Sequence, residues 1–124
     1  MGVGVEVPEV VDSERFKKKY NLDNYLIYVG RIDEGKDCPR LFKYFLEYKR
    51  RVKSDLKLVL MGKAVCDIPK SPDIISLGFV SEEDKFDGIK GAKALILPSK
   101  FESLSISVLE AMTLSVPVIV NGIC

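Results

Sequence analysis

Histidine is absent from all 124 positions, and that single absence removes a large share of enzyme chemistry. Histidine-dependent acid–base catalysis and serine or cysteine triads supplied by this chain alone are excluded. Cysteine is scarce: Cys38, Cys66 and Cys124 make an odd set without metal-type spacing, so they read as reduced thiols and not as a zinc site or a disulfide framework. Long apolar runs are missing too. None approaches the roughly 18 residues of a membrane-spanning helix, and the N-terminus lacks the basic-then-apolar layout of a secretory signal. A cytoplasmic address is expected, with membrane contact limited to peripheral attachment of a full-length protein at the inner face. Net charge is small, since 19 basic and 18 acidic side chains leave +1, which argues against a nucleic-acid binder. Lys17-Lys18-Lys19 and Lys49-Arg50-Arg51 are read as solvated helix faces.

What is present is an ordinary globular balance, 47% hydrophobic and 30% charged, enough for one domain with a sizeable core. Residues 1–23 read as a linker or lead-in containing a short helix from Asp12 to Tyr20. The domain proper spans 24–124 and is expected to be truncated at its C-terminus, because Cys124 follows a core strand directly. Tyr25-Leu26-Ile27-Tyr28-Val29 is apolar on both faces, as a buried parallel strand requires, and stops at Gly30. Asp37 and Pro39 announce a helix whose stripe runs Leu41, Phe42, Phe45, Leu46, Tyr48, Val52. Strands over Leu56–Met61 and Ile74–Leu77 follow, separated only by a Pro- and Asp-bearing loop. Ser81-Glu82-Glu83-Asp84 marks another helix start, reaching about Lys90. Ala94–Leu97, a helix from about Ser105 to Leu114, and Pro117–Val120 complete the pattern. The alternation predicts an α/β, Rossmann-like, doubly wound parallel sheet in the order 3-2-1-4-5.

In such a sheet ligands bind beyond the carboxyl ends of the strands, where the winding reverses, here between the first and fourth strands. The loop from Gly30 to Lys36 offers Arg31 and Lys36. The loop from Pro98 to Ser105 offers Glu102, several serines and a helix N-terminus, whose unpaired N–H groups suit a diphosphate. Carboxylates Glu102 and Glu110 flank that turn and suit the hydroxyls of a sugar and a ribose. Glu110 stands among Val108, Leu109, Ala111 and Met112, so it is expected to face the crevice or to be paired. Lys63 and Asp67 also follow a strand, but nothing specific marks them. Each of these groups also has a plain reading as a loop charge, surface carboxylate or helix cap; their convergence favours the ligand site.

At these residues the sequence resembles the nucleotide-sugar-binding, C-terminal half of the retaining GT-B glycosyltransferases of family 4, the glycosyl transferases group 1. The matching pieces are Tyr28-Val29-Gly30-Arg31-Ile32 with Lys36, Ser76-Leu77-Gly78-Phe79-Val80-Ser81, the pair Glu102 and Glu110 with seven residues between them, and Val116-Pro117-Val118-Ile119. The resemblance implies one half of a GT-B architecture. Catalytic roles fall to Arg31, Lys36 and Glu102: the two cations bind the donor diphosphate and Glu102 the donor sugar. Gly30, Phe79, Val80, Ser103, Leu104, Ser105 and Glu110 hold the nucleotide, with backbone at 103–105 on the phosphates, Glu110 on the ribose and Phe79-Val80 beside the base. It also implies transfer of a hexose, of a mannosyltransferase-like type, from a UDP-, GDP- or ADP-sugar to a saccharide or lipid-linked acceptor, with no metal and no other cofactor. The acceptor site belongs to an N-terminal domain supplied in cis or in trans, so the isolated chain is expected to be inactive.

Three departures stand out. Ser103 and Ser115 occupy positions where the family commonly has glycine, and the region after Gly62 lacks the usual helix. The competing reading is a non-catalytic Rossmann-like binding or partner module, or half of a split transferase. A receiver-like signalling domain is disfavoured because the first strand ends in Gly30-Arg31, where that class needs clustered carboxylates.

Overall fold

In the computed structural model, residues 8, 10–34, 38–97 and 106–120 are described. The elements run α1 (Ser13–Tyr20), β1 (Tyr25–Val29), α2 (Cys38–Arg51), β2 (Lys57–Met61), β3 (Ile74–Gly78), α3 (Glu82–Gly91), β4 (Ala94–Leu97), α4 (Ile106–Thr113) and β5 (Val118–Val120). The five strands form one parallel sheet in the order β3-β2-β1-β4-β5, the expected topology. Its central strand β1 has β2 on one side and β4 on the other, so the reversal of winding falls at its carboxyl end.

Alternation along the strands divides the core between the two faces of the sheet. Leu58 and Leu60 of β2, with Tyr28, Ile32 and Ile74, meet Cys38, Phe42 and Phe45 of α2. Val59 and Met61 point the other way, joining Ile27 and Leu95 against α1, α3 and α4 through Phe16, Phe86, Ile89 and Ala111. Helices therefore cover both faces, as double winding requires.

Helix α1 begins where Asp12 accepts the backbone N–H groups of Glu14 and Arg15, and ends at Asn21 in the left-handed conformation. Residues 12–22, read from sequence within the lead-in, are packed into the core: Phe16 is fully buried and its ring lies 4.8 Å from Tyr20 and 5.7 Å from Tyr25. Polar groups fasten α1 to α3. Buried Asp87 accepts Arg15 Nε at 2.6 Å, Arg15 Nη2 at 3.0 Å and the Asp12 backbone at 2.8 Å. Buried Asp84 accepts Lys19 Nζ at 2.8 Å and the Tyr20 hydroxyl at 2.7 Å. Gly88 permits the approach, since a Cβ there would stand 2.5 Å from Met61 Cε and 3.0 Å from Phe16.

Between β2 and β3 the chain runs without a helix, as its proline and aspartate content suggested. Among the described residues no helix is long and apolar enough to cross a membrane.

Candidate functional site

Three strands end in glycine turns at one edge of the sheet: β1 at Gly30, β2 at Gly62, and β3 at Gly78, its own last residue, all with positive φ. These turns are stitched together. The Gly30 N–H donates to Met61 O at 2.9 Å and the Gly62 N–H to Gly78 O at 2.8 Å. Beyond them, Ile32 N–H donates to Lys63 O and Val65 N–H to Ile32 O, both at 2.9 Å, so the loop after β1 and the loop after β2 form a short parallel bridge. A Cβ on Gly62 would fall 2.0 Å from the carbonyl oxygen of Gly30, so the turns approach as closely as backbone allows.

Above this floor opens a cleft of about 370 Å³. Val29, Gly30, Met61 and Gly62 form its base. Arg31, Lys63 and Lys85 bring three cations to its walls, Glu82 one carboxylate, and Phe79 and Val80 an apolar strip. The Arg31 side chain is 64% exposed and pairs through Nε with Asp33 Oδ2. Its backbone carbonyl accepts the Tyr28 hydroxyl at 2.5 Å, which fixes the path of the loop from within the core. Phe79 is 83% exposed, so the face of its ring is free to stack against a ligand.

Glu110 is the third feature. It is 4% exposed, and Oε2 accepts Lys85 Nζ at 3.1 Å while Oε1 is buried with no hydrogen-bond partner among the described residues. The expectation that this carboxylate would be paired or face the crevice is met by pairing. Lys85 also lies 3.3 Å from Glu82 Oε2, and its ammonium stands 4.8 Å from the centre of the Phe86 ring.

Of the residues singled out from sequence, Gly30, Arg31, Phe79 and Val80 line one cleft. Glu110 does not line it and reaches it through Lys85. Lys36, Glu102, Ser103, Leu104 and Ser105 lie outside the described residues. Sequence reasoning missed Gly62, Glu82 and Lys85 as site residues and left Lys63 unassigned after its strand. Gly62 carried a signal as a second glycine at a strand end. Glu82 and Lys85 follow Val80 at helical spacing that turns both toward the strip, but a lysine and a glutamate on a capped helix look like any solvated pair.

Residues 11–124 match the family of glycosyl transferases group 1. An alpha-D-kanosaminyltransferase of Streptomyces kanamyceticus is 31% identical over 125 residues, covering 86% of this chain and 31% of its own length. Among solved structures, WaaG, a glycosyltransferase involved in lipopolysaccharide biosynthesis, superposes with a TM-score of 0.70 at 18% identity over 96% of this chain and 34% of WaaG. Sucrose-phosphate synthase of Thermosynechococcus elongatus gives 0.65 at 19% identity, over 90% of this chain and 32% of that one. The chain thus spans about a third of each of these relatives.

Proposed function

From the premise that this chain belongs to the glycosyl transferases group 1 family, we propose that it is the donor-binding part of a retaining glycosyltransferase, holding a nucleoside diphosphate sugar in the cleft at the ends of β1, β2 and β3. The observation that carries this is the composition of the cleft: cations over a floor of backbone glycines on one side, an exposed aromatic strip on the other. A diphosphate is matched by Arg31 as a bidentate donor and by Lys63 as a point charge. Phe79 and Val80 offer a base a stacking surface that water otherwise covers.

Catalysis would then be electrostatic. As the bond between the sugar and the diphosphate breaks, negative charge grows on the leaving phosphate, and Arg31, Lys36 and the backbone N–H groups at 103–105 stabilise it more than they stabilise the intact donor. Glu102 accepts hydroxyl hydrogen bonds from the donor hexose, and Glu110 accepts them from the ribose. No metal is assigned a step, because these cations supply the positive charge. The acceptor, a saccharide or lipid-linked sugar, is met by a separate unit in cis or in trans, which also supplies any histidine the reaction uses.

Equilibrium binding of UDP, GDP and ADP tests the reading. One of them should bind, and Arg31→Ala should weaken it by about tenfold, the loss of one charge-assisted contact. A folded chain that binds none of the three, or an Arg31→Ala variant that binds unchanged, would overturn the donor site and leave a partner-binding module.

A further inference from the structure

We propose that Lys85 is the positioning residue that couples Glu110 to the cleft, holding one carboxylate oxygen so that the other stays available to the ribose of a bound nucleotide. The inference rests on the reading of Glu110 as the ribose contact and adds the residue that makes that contact possible.

Glu110 sits on α4 behind the cleft wall, 4% exposed, with Val108, Leu109 and Ala111 around it in the chain. An ionised carboxylate removed from water this far needs a cation or several donors. Among the described residues it has a single partner, Lys85 Nζ at 3.1 Å from Oε2. Lys85 comes from a different element, the first turn of α3, which begins shortly after the apolar strip that follows β3. Its side chain is 20% exposed, and it lines the cleft that Glu110 does not. The ammonium is itself held in place, over the Phe86 ring at 4.8 Å and beside Glu82 at 3.3 Å. An ammonium has three donors, so both carboxylates can be served at once. Glu82 is 78% exposed in its side chain and solvated without help, which leaves the Glu110 pair as the one that sets the lysine's purpose.

The arrangement divides the labour of the carboxylate. Oε2 accepts from the lysine, and Oε1 is a buried acceptor with no hydrogen-bond partner among the described residues. A vicinal diol donates what that oxygen lacks. A polar atom left unpaired in this way costs stability in the empty protein and gains it back when the hydroxyl arrives, which favours ribose over its deoxygenated form.

The test compares UDP, GDP and ADP with their 2′,3′-dideoxy counterparts by titration calorimetry. The wild-type chain should prefer the ribose form by about ten- to hundredfold, the range of a hydrogen bond to a charged group. Glu110→Gln should erase most of that ratio. Lys85→Met should collapse the ratio toward one, losing more affinity for the ribose form than for the dideoxy form, and Lys85→Arg should restore most of the ratio. If Lys85→Met keeps the wild-type ratio, or weakens both forms equally, Lys85 does not position Glu110 and the inference fails alone. If the wild type and Glu110→Gln both show no preference for ribose, the ribose reading itself has failed and takes the inference with it. Thermal unfolding of each variant, compared with wild type, ensures that the ratio is read on folded protein.

Discussion

At Gly62 and Ser115 backbone conformation and residue type can be weighed directly. At Gly62 a methyl group would land 2.0 Å from the Gly30 carbonyl, in a backbone conformation with φ +140 that side chains avoid. Gly62→Ala should destabilise the fold by roughly 3 kcal/mol, and chemical denaturation should show it together with loss of nucleotide binding, because the floor of the cleft is what moves. Ser115 is the opposite case. Helix α4 ends in a paired motif, the Ser115 N–H donating to Met112 O at 3.0 Å and the Val116 N–H to Ala111 O at 2.8 Å, with Ser115 left-handed at φ 62. The sequence marked this serine as standing where the family commonly has glycine, and the φ value supplies the reason. Ser115→Gly should raise stability by about 1 kcal/mol in the same denaturation measurement. A decrease would mean that the serine side chain makes a compensating contact.

Helix α3 shows most clearly what an element reveals in sequence and what it hides. Its start was legible, with Ser81 accepting the Asp84 backbone N–H at 3.1 Å and three acids in the first turn. Its packing face was not, because that face is built from Gly88, Asp84 and Asp87 beside Phe86 and Ile89, and aspartates read as solvent-facing until their partners on α1 are in place. The partners lie more than sixty residues away in the chain, beyond the reach of any periodicity. Strands β1, β2 and β4, by contrast, announce themselves as short apolar runs closed by glycine or proline. Burial alone pushes the Asp84 carboxyl upward, but the hydrogen bonds from Lys19 and Tyr20 outweigh it and hold the group below the usual aspartate range. A depressed folded value means that this network's stabilisation is complete above the ordinary aspartate range and is lost as pH falls through the lower folded value. Asp84→Asn should therefore cost about 2 kcal/mol at pH 7 and progressively less as the wild type protonates in strong acid. Urea midpoints at neutral and acidic pH check the sign. A gap between variant and wild type that widens on acidification would contradict it.

For the molecule as a whole the strand order was legible. Its reversal point indicated a crevice between β1 and β4, whereas the cleft lined by the described residues stands at the ends of β1, β2 and β3, and the loop after β4 lies outside the described residues. Gly30 and Arg31 could be named because they follow the end of the first strand, and Phe79 and Val80 through the family resemblance. Lys63 was noted only as following a strand, and Lys85 not at all, since a lysine on a capped helix becomes a site residue only through the neighbours the fold brings to it. The chain covers about a third of each of these relatives, so binding and catalysis are separable questions here. The most direct measurement is a two-dimensional amide NMR titration of the chain with UDP, GDP and ADP. One nucleotide should shift a contiguous set of amides at Gly30, Arg31, Gly62, Lys63, Phe79 and Lys85 while α2 and the outer face of α1 stay unmoved. Saturating concentrations of all three that leave those amides in place, or shifts confined to another surface, would contradict a donor site at the ends of β1, β2 and β3.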